Sequence, residues 1–350
     1  MSTCSRMTYR FLGNSRLLVS KFGLGSWTDV SELYTPDRWY DLMKLAFAHG
    51  INFFDNAETY GDGLAEKNMG FAIRQGIDDG VWSREDLVIT TKVFFGAKRF
   101  DLAGPHDRGL SRKHIVEGTK GSLKRLQVDY VDVIFCHQPD PYTPIEETVR
   151  AMDYVIQQGW AFYWGTSSWK AEDIAEACEI ADRLGLIRPI VEQPEYSMLE
   201  QTRVEHEYVD LYQKLKLGLT TWSPLAFGIL TGKYSARTPE GSRMENPMYK
   251  SFVPDFDARV AKVDLLKPIA EKLGMTSAQL ALAWCVSNEN VSSVLLGAKT
   301  TQQLEDNLKV LELLDKLTPE VKAEIDAIVP LEKKMPKAMG TDGLRAQVTW

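Results

Sequence analysis

The stretch VDVIFCHQPDPYTPIEETVRAMDYVIQQGWAFYWGT, residues 131–166, decides the fold. It opens with the apolar run Val131–His137, passes through a turn rich in proline and aspartate, and then changes period. From Ile145 to Gln158 apolar residues recur three and four apart, the spacing of one helix face. A second short apolar run follows at Ala161–Thr166. Strand, helix and strand in that order describe two parallel strands joined by a crossover helix, and the near-continuous apolar runs predict strands buried on both faces.

The same alternation extends in both directions. Buried strands are predicted at Lys21–Gly25, Asn52–Asp55, Leu87–Lys92, Ile190–Gln193, Leu219–Ser223 and Ser293–Gly297. Amphipathic stretches such as Asp37–His49, Ser111–Leu126 and Ala171–Leu184 lie between them. Eight strands, each followed by a helix, fit an α/β fold closed into a parallel (β/α)8 TIM barrel better than an open sheet. Tyr9–Ser20, with Gly13-Asn14 at its centre, reads as a β-hairpin capping the barrel floor. Two segments, Phe94–Leu110 and Phe227–Pro254, are long for loops inside a domain, and such loops are usually lids or clamps. The tail Leu331–Trp350 lacks helical period and is expected to lie over the surface or be partly mobile. No linker interrupts the pattern, so one domain is expected across residues 1–350, with its core at about 9–329.

With 350 residues, 44% hydrophobic and 25% charged, the composition is that of a soluble globular protein. A chain this long buries enough core to need neither disulfide nor structural metal. A net charge of −7 disfavours nucleic acid and anionic membranes as partners, so any anionic ligand must be gripped by a few local Lys or Arg residues. Cys4, Cys136, Cys178 and Cys285 form no CxxC pair, which argues for a reducing compartment and against a zinc site. The N-terminus has no apolar leader core, and no run of about 18 apolar residues occurs, so a cytoplasmic protein without membrane insertion is expected.

In such barrels the active site lies at the C-terminal strand ends. The residues at these ends are Asp55, Lys92, His137, Ser167, Gln193 and Ser223. Taken singly each has a bland reading: Asp55 as a turn cap, Lys92 as a solvated strand end, His137 as structural, and Tyr60 as rim packing. Together, Asp55, Tyr60, Lys92 and His137 can meet across one barrel mouth. A tyrosine hydroxyl, with an ordinary pKa of about 10, is protonated at neutral pH and can donate to a developing alkoxide. Lys92 is expected to stabilise the phenolate and lower the pKa of Tyr60, Asp55 to hold Lys92, and His137 to hydrogen-bond the substrate carbonyl. The set suits carbonyl reduction by an external hydride and offers no nucleophile for hydrolysis.

The hydride donor must be bound without a GxGxxG turn, since Gly23-Leu24-Gly25-Ser26-Trp27 breaks that spacing, and no GxxxxGK[ST] loop is present. Ser167 and Gln193 could bond a carboxamide, Trp222-Ser223-Pro224-Leu225-Ala226 could wrap a pyrophosphate, and Lys233, Arg243 and Lys299 could meet phosphates. Trp27, Trp169, Phe94 and Phe95 suggest an apolar substrate pocket suited to aromatic or aliphatic aldehydes, and each has core packing as its equal alternative.

From about Tyr9 to Val329 the chain resembles the aldo-keto reductase superfamily. The likeness rests on Gly50-Ile51-Asn52-Phe53-Phe54-Asp55-Asn56-Ala57-Glu58-Thr59-Tyr60-Gly61, Ile89-Thr90-Thr91-Lys92, Asp129-Tyr130-Val131-Asp132 leading to His137, Trp164-Gly165-Thr166-Ser167, Trp222-Ser223-Pro224-Leu225 and Leu296-Gly297-Ala298. The resemblance implies the barrel, NADPH as cofactor, and a tetrad at Asp55, Tyr60, Lys92 and His137. Within the superfamily the chain is most similar to the beta subunits of voltage-gated potassium channels, through Arg108–His114, Thr143–Met152, Tyr163–Ser167 and Val291–Ala298. That likeness implies cofactor contacts at Ser26, Trp27, Asp55, Ser167, Ser168, Gln193, Trp222 to Phe227, Lys233, Arg243, Gly297, Lys299, Gln303, Asp306 and Asn307. It also implies a homotetramer, a potassium-channel partner and, as the alternative to a working reductase, a slow cofactor-sensing regulatory subunit. The chain departs from the animal channel subunits in three ways. They carry Asn where His137 stands, they place a cofactor-contacting Gln at the position of Leu33, and some have a channel-plugging N-terminal extension that is expected to be absent here.

Overall fold

Each predicted strand becomes a rung of one cylinder. In the computed structural model, which describes residues 7–27, 35–253 and 255–333, strands β1 (Tyr9–Phe11) and β2 (Leu18–Ser20) pair antiparallel as a hairpin. The barrel then comprises β3 (Phe22–Gly25), β4 (Phe53–Asp55), β5 (Val88–Val93), β6 (Val131–Cys136), β7 (Ala161–Ser167), β8 (Val191–Gln193), β9 (Gly218–Thr221) and β10 (Val291–Leu296). All eight pair parallel in chain order, and β10 returns to β3 to close the sheet. Cys4, Leu33, Pro254 and the tail beyond Lys333 lie outside the described residues.

The outer ring follows from the amphipathic stretches: α1 (Pro36–Ala48), α2 (Leu64–Asp78), α3 (Arg112–Leu126), α4 (Ile145–Gln157), α5 (Ala171–Leu184) and the short α6 (Val209–Lys214). Local chemistry sets their ends. Thr35 and Ser111 accept hydrogen bonds from the first turns of α1 and α3, and Gly185, in the left-handed conformation, stops α5.

The simple strand-helix repeat fails between β9 and β10. There the long loop carries α7 (Pro247–Ser251) and is followed by α8 (Phe256–Leu273) and α9 (Ser277–Val286), while α10 (Thr301–Leu308) and α11 (Pro319–Ile328) follow β10. Strand β9 also ends at Thr221 rather than Ser223, because Ser223 takes a positive φ of 58°. At the C-terminus, Glu332 still packs against the body, its carbonyl accepting from Thr202 and its carboxylate pairing with Lys262.

Strand alternation divides the core. Val133 and Phe135 of β6 point into the barrel with Phe53, Val88, Val191 and Leu295, whereas Ile134 and Cys136 face the helices. The hairpin closes the floor of that inner core with Leu12 and Val19, both fully buried. Its turn residue Gly13 sits at φ 56°, and a Cβ there would stand 2.1 Å from the Ile190 carbonyl oxygen. Only glycine fits so close to the barrel backbone in that conformation.

Candidate functional site

The polar residues that interrupt the apolar strands gather at the opposite, C-terminal mouth. Asp55 ends β4, and the parallel register sets it opposite Thr90 of β5. Its Oδ1 accepts from Thr90 Oγ1 at 2.7 Å and Gln193 Nε2 at 3.1 Å, and its Oδ2 accepts from Lys92 Nζ at 2.5 Å. Lys92 is fully buried and also donates to the Asn56 carbonyl at 2.7 Å. Tyr60 lies in the turn after β4, with its ring centroid 5.1 Å from Lys92 Nζ. One side of that ring stacks on Trp27 at 6.4 Å, and His137, just past β6, meets it edge-on at 5.7 Å. Four residues spread over more than eighty positions thus share one wall.

Burial shifts the titration of Tyr60, Lys92 and His137. Enclosure of the phenol, with the Asp55 carboxylate nearby, holds Tyr60 well above its usual pKa. The direction is opposite to the lowering by Lys92 that the sequence suggested, because burial is the dominant influence on the phenol. Burial also lowers Lys92, against the pull of Asp55, and burial together with Lys92 holds His137 well below the usual imidazole value. Tyr60 is therefore a protonated phenol and His137 a neutral imidazole at neutral pH. His137 Nδ1 is buried and finds no protein partner.

These groups open into a cleft of about 1480 Å³. Of the residues predicted to hold a dinucleotide, Trp27, Ser167, Ser168, Gln193, Trp222, Ser223, Pro224, Leu225 and Phe227 line it near the tetrad or along its length. Lys233, Arg243, Gly297, Lys299, Gln303, Asp306 and Asn307 line it as well. Ser26 and Ala226 do not: both are buried behind the wall, with the Ser26 amide bonded to the Asp55 carbonyl. Ser168, Ser223, Ala226 and Phe227 all adopt positive φ, so the strand-end turns bend sharply around the cleft. Arg243 reaches across it, donating to the Trp27 carbonyl at 3.0 Å with its guanidinium against the Trp27 and Tyr249 rings.

Of the four aromatics expected at the mouth, Trp27 and Phe95 line the cleft, whereas Trp169 and Phe94 are packed into the core. Tyr249 and Phe252, from the long loop, take their place. Sequence reasoning also missed a shell of buried carboxylates behind the rim. Glu58 accepts from His114, Glu66 from Thr91 and Arg125, and Glu192 from Thr166. Only Glu192, a carboxylate inside strand β8, left a local signal; Glu58 and Glu66 lie in the turn and helix after β4.

Among the described residues no cluster of His, Cys, Asp or Glu could hold a metal, and no helix is long and apolar enough to cross a membrane. Cys136, Cys178 and Cys285 are buried and unpaired.

Two relatives and one family model match nearly the whole chain. The chain is 51% identical over 336 residues to a protein from Arabidopsis thaliana named probable voltage-gated potassium channel subunit beta, covering 95% of this chain and 99% of that one. It is 50% identical over 331 residues to a protein of the same name from Oryza sativa subsp. japonica, covering 94% and 98%. The model of the Aldo/keto reductase family matches residues 21–330, the whole barrel with its strand-end site, and the chain belongs to that family.

Proposed function

We propose that this protein reduces aldehydes and ketones to alcohols with NADPH, using Tyr60 as proton donor. The observation that carries this reading is the meeting of Tyr60 and His137, ring centroids 5.7 Å apart, beside the buried Asp55–Lys92 pair, where burial favours the protonated phenol and the neutral imidazole. A bound NADPH would supply the hydride to the carbonyl carbon. The residues present fit that cofactor. An amide and a hydroxyl, Gln193 and Ser167, stand at the barrel mouth, while Lys233, Arg243 and Lys299 put cations on the wall of the same cleft in an otherwise acidic protein.

The chain's own groups then divide the proton work. Tyr60 and His137 both hydrogen-bond the substrate oxygen as negative charge builds there. Tyr60 gives up its proton, and the Lys92 ammonium under its ring stabilises the phenolate that remains. Asp55 keeps Lys92 charged despite its burial. His137, held neutral, donates without competing as an acid.

The assay is single-turnover oxidation of bound NADPH by benzaldehyde in wild type, Tyr60→Phe, His137→Asn and His137→Ala. Tyr60→Phe should be the slowest with its NADPH affinity nearly unchanged. His137→Ala should lose about 10²–10³-fold, the usual cost of one such donor, and His137→Asn less. Equal, very slow rates in all four would remove the reductase reading. The second reading, a cofactor-sensing subunit of a potassium channel assembled as a homotetramer, would then lead, because both relatives carry that name.

A further inference from the structure

Glu58 has no place in the proton chemistry, yet it is 1% exposed and sits between Asp55 and Tyr60. A buried carboxylate needs donors, and Glu58 Oε1 has three. The amides of Phe94 and Gly96 donate at 2.8 Å each, and His114 Nε2 donates at 2.9 Å. The Glu58 amide in turn donates to the Lys92 carbonyl at 3.1 Å. This one residue therefore ties the loop that carries Tyr60 to the strand end that carries Lys92 and to the segment just beyond it.

That segment presents Phe95. Its neighbour Phe94 is packed in the core, whereas the Phe95 ring lines the cleft and meets His137 edge-on at 5.2 Å. Glu58 holds the amides on either side of Phe95 from the inside. From the outside, Arg108 Nε donates to the Phe95 carbonyl at 3.2 Å and the Gly109 amide to the Phe94 carbonyl at 2.8 Å. His114 is delivered by the cap of α3, where Ser111 Oγ accepts its amide. Gly118, one turn further on, leaves the space: a Cβ there would stand 3.0 Å from Glu58 Oε2.

We propose that Glu58 and His114 are positioning residues that fix the Phe95 wall against His137, and so select planar aromatic carbonyl substrates at this site. The inference rests on the reductase reading. An aromatic substrate whose carbonyl reaches Tyr60 and His137 lies against Phe95, so movement of that wall misplaces the carbonyl. A small aliphatic aldehyde does not use the wall and tolerates the movement. Phe95 is the specificity-determining contact, and the buried pair acts only through it.

The test compares wild type, Glu58→Gln, His114→Ala, His114→Gln, Phe95→Ala and His114→Ala/Phe95→Ala, with benzaldehyde and propanal as substrates and NADPH affinity measured separately. His114→Ala and Phe95→Ala should each lower kcat/KM for benzaldehyde by about 10- to 100-fold, the scale of a misplaced substrate. Propanal should lose at least about threefold less than benzaldehyde in each variant, because it does not lie on the wall. The double variant should be no worse than the poorer single one. His114→Gln, which keeps a donor, should recover most of the loss, and Glu58→Gln should shift selectivity in the same direction. Equal losses on both aldehydes, no loss, or additive losses in the double variant would overturn the proposal.

A second measurement does not depend on turnover. With its ring edge-on to His137 at 5.2 Å, Phe95 should shift the His137 ring protons, and NMR of histidine-labelled protein should show that shift displaced in His114→Ala and restored in His114→Gln. A wild type inactive on both aldehydes would remove the reductase reading, and the His137 shift would then decide whether the pair positions Phe95.

Discussion

Replacing Lys92 by Met leaves Asp55 as a buried carboxylate whose Oδ2 has lost its donor, while Oδ1 keeps Thr90 and Gln193. Removing one partner of a buried ion pair typically costs about 3–5 kcal/mol, because the remaining charge is stranded. Asp55→Asn strands the ammonium instead, leaving it only neutral acceptors, the Asn56 carbonyl and the new side-chain amide oxygen. Both single variants should therefore lose about 3–5 kcal/mol of unfolding free energy. The double variant Asp55→Asn/Lys92→Met strands neither charge and should lose clearly less than the sum, by at least about 1.5 kcal/mol. Urea unfolding followed by tryptophan fluorescence, with nine tryptophans in the chain, reads this directly. If the double variant loses the sum of the two within about 0.5 kcal/mol, the groups are not coupled and the reasoning about the site's electrostatics fails.

Burial raises Glu192 to about 7, so between about pH 4.5 and 7 the folded chain holds a proton that the unfolded chain releases. Stability contributed at low pH is then lost as pH rises through that window, by roughly 3 kcal/mol. Glu192→Gln should lack this loss, and urea midpoints whose pH slope matches the wild type would refute the assignment. Arg243→Ala should weaken NADPH by about 1.5–3 kcal/mol while barely changing NADH, and equal losses in fluorescence titrations with the two cofactors would remove the phosphate role. Gly13→Ala combines a left-handed backbone with a 2.1 Å backbone contact. It should cost about 2–5 kcal/mol, and thermal unfolding within a degree of wild type would contradict the close packing of the hairpin on the floor.

The rim was legible in the sequence because Asp55, Lys92 and His137 stand at the ends of otherwise apolar runs, where a parallel barrel gathers its polar residues. What lay behind the rim was not legible. Glu58 finds His114 and Glu66 finds Arg125, partners more than fifty residues away, so no local pattern signals that these carboxylates are buried. Trp169 and Phe94 were misplaced for a related reason. They follow the last strand residues, where alternation no longer says which way a side chain turns, and both turn inward. The left-handed run at Ser223, Ala226 and Phe227 uses residues that do not favour that conformation, so β9 was read two residues too long. The tyrosine pKa was misjudged because a neighbour's charge can be read from a motif, whereas depth of burial cannot.

The plugged floor has a kinetic consequence. With Leu12, Val19 and the Gly13 turn filling the barrel from below, both ligands of the proposed reaction pass through the same mouth. Whichever seats deeper must arrive first and leave last. The traffic is that of a blind alley, and initial-rate kinetics should show a compulsory binding order, with the product of the outer ligand released before that of the inner one.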